Sequence, residues 1–136
     1  MITFNYETFF KLNNENTLEK WIEKIILDNG FELGEINYIF CDDEYLHKLN
    51  IEFLKHDTLT DIISFDNTLG KLISGDIFIS VERVEENATK FKVFFEEELH
   101  RVIIHGILHY LGFNDKTKEE KIMMRNKENE SLSLLN

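Results

Sequence analysis

The segment from residue 94 to 112 constrains the fold most, because it must form a helix that is buried on most sides. Its sequence, FFEEELHRVIIHGILHYLG, spreads apolar side chains over most of the helical circumference. Such a helix belongs in a protein core or in a membrane. Gly112 is placed to end it in a left-handed turn. The rest of the chain must therefore supply the layers that cover this helix.

The remaining segments mix strand and helix patterns without strict alternation. Apolar alternation and β-branched runs predict four strands, at 2–7, 35–41, 61–65 and 72–81. Helical spacing predicts a helix from an N-cap at Thr17 to residue 28, shorter ones after Asp42 and at 84–88, and a last one capped by Thr117, with Ile122, Met123 and Met124 on its apolar side. This mixture predicts an α+β fold: a small mixed β-sheet of about four strands packed against helices.

Length, composition and charge narrow the class of protein further. The 136 residues contain no repeat or linker, so we expect one domain over 1–136. The single cysteine, Cys41, excludes a disulfide framework and is typical of a small core residue. No apolar run reaches the roughly 20 residues that cross a bilayer, and no signal-peptide pattern is present, so we expect a cytoplasmic protein without a membrane partner. The net charge of −11 argues against a general nucleic-acid coat protein.

The residues with metal chemistry cluster at the end of the long helix. His105 and His109 are four residues apart, so their imidazoles lie on one helical face and can converge on one ion. After the turn at Gly112, the carboxylate of Asp115 can return to the same point. Three protein ligands leave a fourth tetrahedral position for water, which is the stoichiometry of a catalytic zinc site. Metal-bound water is the only catalytic group that the sequence identifies.

The other histidines and acidic residues have plainer interpretations. Two histidines on an apolar helix can also be core residues with local hydrogen bonds, but the glycine turn and the acid favour a metal. His100 faces away from His105 by about 140°, so we expect it on the surface. His47 is expected in solvent, and the loop residue His56 is a weaker candidate for the site. The run Glu96, Glu97 and Glu98 is expected to be solvated at the start of the helix.

The reaction follows from what a bound metal does. Zinc lowers the pKa of its water towards about 7 and polarises a phosphoryl or carbonyl oxygen, so hydrolysis is the natural chemistry. Metallopeptidases of the HExxH type carry a glutamate directly after the first histidine, where this chain has Gly106. This difference weakens the peptidase interpretation. The positive charge of the ion would also help a phosphodiester to approach the acidic chain.

The motif resembles that of the YbeY type of bacterial rRNA maturation factors, metal-dependent endoribonucleases with a metzincin-like signature, H-G-x-x-H-x-x-G-x-x-H. His105, Gly106, His109 and Gly112 match it, and Asp115 stands where the family more often has a third histidine. Aspartate is competent as a ligand. Two further blocks resemble the family, Leu49-Asn50 with Thr60-Asp61-Ile62-Ile63-Ser64-Phe65, and Gly75-Asp76-Ile77. The resemblance therefore covers nearly the whole chain.

The resemblance implies an endoribonuclease specific for single strands, with one zinc ion. It would act in maturation of the 3′ end of 16S rRNA and in ribosome quality control. Its partners would be an rRNA precursor and the ribosome or its small subunit, and no DNA is expected. Water bound to the metal and the neighbouring 2′-hydroxyl both remain open as the nucleophile.

Two departures from the family pattern bear on the substrate. The family commonly has an arginine, usually assigned to substrate phosphate or catalysis, where this chain has Leu54, and Lys55 is the nearest substitute in sequence. The proline before Thr60 is replaced by Leu59. Three polar residues lie on strands that could line a groove beside the metal, although a structural role is favoured for each of them: Asp61, Ser64 and Asp76. The alternatives are a peptidase-like amide or ester hydrolase and a ribosome-associated binding protein with a structural metal.

Overall fold

The computed structural model describes residues 1–135 as one four-stranded sheet with five helices. In chain order the elements are β1 (Ile2–Tyr6), α1 (Glu15–Asp28), β2 (Glu32–Cys41), α2 (Asp43–Leu54), β3 (Ile62–Asp66), β4 (Leu72–Ser80), α3 (Val81–Phe91), α4 (Phe95–Tyr110) and α5 (Lys118–Ser133). The expected α+β class is confirmed. Within these residues, no helix is both long enough and apolar enough to pass through a bilayer.

The sheet is mixed, as expected, with the strand order β1-β2-β4-β3. β1 runs parallel to β2, and β2 runs parallel to β4, whereas β3 is antiparallel to β4. The antiparallel pair is formed by the strands predicted at 61–65 and 72–81, and Gly70 in their connection has a φ of +58°. Glycine adopts such a left-handed conformation at little steric cost. Because β3 stands last in the strand order, it is an edge strand of the sheet.

The main core lies between one face of the sheet and the helices α1 and α4. Alternate residues of the strands, including Ile36, Tyr38 and Ile77, are fully buried there against α4. The hydroxyl of Tyr38 donates to the carbonyl of Ile103 at 2.9 Å, so a buried hydrogen bond fixes α4 to the sheet. At Gly106 the backbone comes so close that a Cβ would lie 3.1 Å from Ile77 Cδ1. The fold thus holds α4 tightly where the site residues begin.

The opposite face of the sheet has a smaller core under α2. Its buried members are Cys41, Leu46 and Ile63, which confirms the assignment of Cys41 as a small core residue. Asp42 caps α2 as predicted, because its side chain accepts from the Tyr45 amide at 2.9 Å. The helix is longer than expected: it continues to Leu54 and ends where Lys55 adopts a left-handed conformation with a φ of +58°.

Two predicted helix starts had different outcomes. Thr117 caps α5 as expected, and Glu120 completes a capping box with it. Thr17 does not cap α1, because the helix begins three residues earlier than expected, at Glu15, with Asn14 in the cap position. The Tyr6 hydroxyl donates to the Glu15 carboxylate, a contact between β1 and the first turn that local sequence does not reveal. The helix predicted at 84–88 also extends in both directions, over Val81–Phe91.

Three expectations about exposure were wrong. Glu98 is only 6% exposed, because the helical period turns it inward one turn before Val102. His100 is half-buried against Trp21, with ring centroids 6.2 Å apart. Of the three apolar residues predicted to anchor α5, only Met124 is buried, whereas Ile122 and Met123 are more than half exposed.

Candidate metal centre

The end of α4 and the turn after it bring three donor side chains together. His105 and His109 lie one above the other in the last two turns of α4. Gly112 has a φ of +103°, and its amide donates to the carbonyl of His109 at 3.0 Å, which closes the helix. The chain then reverses, and the carboxylate of Asp115 reaches both imidazoles. The predicted glycine turn therefore has the conformation and the effect expected of it.

The donor atoms form a nearly regular triangle. The two histidine Nε2 atoms are 3.1 Å apart, and each lies 3.3 Å from Oδ2 of Asp115. Ligands at about 2.0 Å from a tetrahedral ion are separated by about 3.3 Å, so the triangle has the size that zinc requires. Within residues 1–135, these three side chains form a group that could hold a metal ion. All three are partly exposed, which leaves one side of the triangle accessible.

His105 is oriented by a carboxylate on α5. Its Nδ1 lies 2.7 Å from Oε2 of Glu128. A carboxylate accepts a hydrogen bond there, so the proton of the neutral ring sits on Nδ1 and the lone pair of Nε2 points into the triangle. The other Glu128 oxygen accepts from Arg101 at 3.0 Å. This is the hydrogen-bond pattern that commonly supports a metal-binding histidine.

The charges of this cluster shift the pKa values of its members. Burial disfavours the charged ring of His105, but the hydrogen bond with Glu128 and the charges of Glu128, Asp115 and Asp61 outweigh burial and raise its pKa. Burial likewise opposes ionisation of Glu128, yet the hydrogen bonds from His105 and Arg101 lower its pKa. Both effects favour an ionised Glu128 beside the ligand set.

A cavity of about 400 Å³ opens beside His105, between α4, α5 and the start of β3. Its lining includes two of the three candidate donors and side chains of both charges, namely Asp61, Glu98, Arg101, His105, Asp115, Lys121, Arg125 and Glu128. Burial raises the pKa of Asp61, although the charge of His105 acts against this. The cavity therefore lies next to the candidate metal donors and is lined by several ionisable groups.

Not every residue considered from sequence reaches the cavity. Asp61 lines it, whereas Asp76 accepts a hydrogen bond from the side chain of Asn37 at 3.0 Å, as a structural role predicts. Ser64 lies on β3 next to Phe65, whose carbonyl accepts a hydrogen bond from the Tyr110 hydroxyl at 3.0 Å. His47 pairs with Asp57 at 2.8 Å, away from the donors.

Sequence reasoning missed Glu128 and Arg101. Both act through the crossing of α4 and α5, which no local pattern encodes. One signal was available: the buried side of α5 consists of Met124, Glu128 and Ser131, at helical spacing. A glutamate on the inward stripe of a helix needs a partner, and a nearby histidine cluster is a natural one.

Comparison with known proteins adds independent findings to this α+β fold with its three-donor centre. A family model described as Endoribonuclease YbeY matches residues 2–136, and the chain belongs to this family. An Endoribonuclease YbeY of Flavobacterium johnsoniae is 60% identical over 134 residues, covering 98% of this chain and 96% of the relative. One of Cytophaga hutchinsonii is 48% identical and covers 96% and 92%. A solution structure of a Thermotoga maritima protein matches with a TM-score of 0.66 at 26% identity, over 98% of this chain and 90% of that one.

Proposed function

We propose that this chain is a zinc-dependent endoribonuclease that cleaves single-stranded RNA. We further propose that it acts as a single domain in the bacterial cytoplasm, in maturation of the 3′ end of 16S rRNA and in ribosome quality control, with the small subunit as partner. Membership of the YbeY family supports the endoribonuclease activity. The observation that carries zinc dependence is the triangle of donor atoms of His105, His109 and Asp115, with edges of 3.1–3.3 Å.

In this mechanism each residue of the centre has a separate task. His105, His109 and Asp115 would hold the ion, which when bound lowers the pKa of water and stabilises charge on a phosphoryl oxygen. Glu128 keeps the proton of His105 on Nδ1. Asp61 lines the same cavity and is the candidate acceptor for the proton of the attacking oxygen. Gly106 packs against the sheet and supplies no such group.

The cations of the cavity are the candidate contacts for RNA phosphates. Leu54 and Lys55 lie at the carboxyl end of α2. Among the described residues, neither of them lines the cavity beside His105. The lining does include Arg101, Lys121 and Arg125. Arg101 is largely buried in its contact with Glu128, whereas Lys121 and Arg125 are exposed on α5, Arg125 at 3.6 Å from the same carboxylate. We therefore assign phosphate binding to the exposed pair rather than to Lys55.

A cleavage assay with matched histidine variants tests the function. Zinc-loaded protein is incubated with a single-stranded RNA that spans an rRNA 3′ end, with the same RNA annealed to its complement, and with casein. We expect cleavage of the single strand, its loss in His109→Ala, and its retention in His100→Ala, which removes a histidine of the same helix outside the donor set. Proteolysis would favour the amide hydrolase, and absence of both activities would favour a structural metal.

The ends of the RNA products identify the nucleophile. Attack by water leaves ordinary phosphate and hydroxyl ends, whereas attack by the 2′-hydroxyl leaves a 2′,3′-cyclic phosphate. Replacing the 2′-hydroxyl at the cleaved position by hydrogen separates the two routes, because only the second requires that group. Continued cleavage of this substituted RNA would assign the reaction to water.

A further inference from the structure

Glu128 is a buried carboxylate whose two oxygens are both committed. It is 6% exposed and lies at the contact between α4 and α5. One oxygen meets His105 Nδ1 at 2.7 Å, and the other accepts from Arg101 Nη1 at 3.0 Å. Burying a carboxylate costs free energy unless the group is paired. The contacts with His105 and Arg101 are the ones that compensate this cost at Glu128.

Its two partners sit one turn apart on the same helix. Arg101 and His105 are separated by four residues on α4, so a single carboxylate from α5 spans both. The guanidinium of Arg101 is largely buried, with 17% of its side chain exposed, and it fixes the carboxylate from one side. Arg125 lies farther away, at 3.6 Å, and is mostly exposed. Arg101 thereby fixes the position of the Glu128 carboxylate along α4, where its other oxygen contacts the ring of His105.

We propose that Glu128 is the positioning residue of the metal centre and that Arg101 holds it in place. This inference rests on the proposed metal site. Glu128 fixes the ring orientation and the tautomer of His105, and its negative charge makes Nε2 a stronger donor to a cation. The centre of this chain therefore consists of three donors from the end of α4 and its turn, and of one support from α5.

Glu98 provides a matched control for Glu128. It is also a buried glutamate with 6% exposure and also lines the cavity, but no hydrogen bond joins it to a donor histidine in the described structure. The substitutions Glu128→Gln and Glu98→Gln each replace a buried carboxyl group of the same cavity by an amide of nearly the same size. Only the first changes the group that accepts from His105.

The experiment measures zinc affinity by competition with a chromophoric chelator, well below the melting temperature of each variant. We expect Glu128→Gln to weaken zinc binding about 10-fold and Glu128→Ala about 100-fold. Glu98→Gln is expected to stay within about twofold of the wild type, since it leaves the contact between Glu128 and His105 Nδ1 in place. The visible spectrum of the cobalt-substituted protein should also change in the Glu128 variants only, because it reports ligand geometry.

The possible results separate this inference from the proposed function. Wild-type zinc affinity and an unchanged cobalt spectrum in Glu128→Gln would overturn the positioning role, while RNA cleavage by the wild type would leave the proposed function intact. Equal losses in Glu128→Gln and Glu98→Gln would also overturn it, because they would reflect cavity charge alone. A wild-type protein that binds no zinc would refute the metal centre itself. If Glu128→Ala does not fold, the comparison of the two glutamine variants decides.

Discussion

We call the two halves of α4 its amino end (residues 95–102) and its carboxyl end (residues 103–110), and each places a histidine in a different environment. At the carboxyl end, His105 meets Glu128 and Asp115, and these charges raise its pKa despite burial. At the amino end, His100 packs against the ring of Trp21, and burial lowers its pKa although the charge of Glu96 acts against this. The helix is the same, and the residue type is the same. The difference comes from the partners that α5 and the turn supply at one end and that α1 supplies at the other.

This contrast shows why a histidine motif alone does not define a metal centre. The spacing of the two histidines is a weak criterion, because any two histidines four residues apart on a helix share a face. A ligand also needs a hydrogen-bond acceptor on its second ring nitrogen and a third donor at the correct distance. The carboxyl end of α4 has both of these features. The amino end has an aromatic contact, which favours a neutral ring that contributes to packing.

The largest expected effect concerns zinc content at the two ends. Protein purified without chelators or a metal-binding tag should contain about one zinc per chain. His109→Ala and Asp115→Ala should reduce this to less than about a tenth, because two donors do not retain the ion during purification. His100→Ala should keep the full content. Elemental analysis of the three variants checks this, and a loss in His100→Ala as large as in the others would break the distinction between the two ends.

A loss of stability should be largest at the amino end. Trp21 is 4% exposed, and its Nε1 donates to the carbonyl of Ser131 at 2.8 Å. Trp21→Ala should lower the free energy of unfolding by about 3–5 kcal/mol, because it leaves a large cavity between α1, α4 and α5. Zinc affinity of the folded variant should change by less than about threefold. Urea unfolding with chelator present measures the first quantity and chelator competition the second.

Trp21→Phe is the control for this prediction, since it keeps an aromatic ring beside His100 and loses the hydrogen bond to Ser131. Its destabilisation should be clearly smaller than that of Trp21→Ala. A Trp21→Ala protein that is as stable as the wild type, or one that has lost zinc binding while folded, would show that the two ends of α4 are not separable in this way.

The sequence predicted the fold and the grouping of the three candidate donor side chains where local patterns were sufficient. The spacing of His105 and His109, with the glycine turn before Asp115, identified the three donors that the structure brings together. Glu128 escaped because its partner lies on another helix, and its role depends on how α5 crosses α4. The burial of Glu98 and the start of α1 at Glu15 escaped for the same reason. Contacts between elements determine these three features, whereas the periodicity of apolar residues along the chain is sufficient to predict the helices and strands.

A smaller effect is expected for the cations beside the carboxyl end. Lys121→Ala should raise the KM for single-stranded RNA about 3- to 10-fold with kcat nearly unchanged, because it removes a contact to phosphate rather than a donor to the metal. The slope of log affinity against log salt should fall by about one. Lys90→Ala removes an exposed cation near the amino end and should leave both quantities unaltered. A larger effect from Lys55→Ala than from Lys121→Ala would return phosphate binding to the carboxyl end of α2.

The smallest effect should appear in the pH dependence of stability at the amino end. Since burial lowers the pKa of His100 in the folded state, its neutral form stabilises the fold above the unfolded value of about 6.5. That contribution is lost as the pH falls through the lowered folded value. His100→Gln cannot be protonated in this range, so its melting temperature should fall less than that of the wild type between pH 8 and pH 5. Both proteins are measured with chelator, so that the titration of His105 is common to them and cancels in the difference. An equal fall in melting temperature for the two proteins would mean that burial against Trp21 does not favour the neutral ring of His100 over the protonated one.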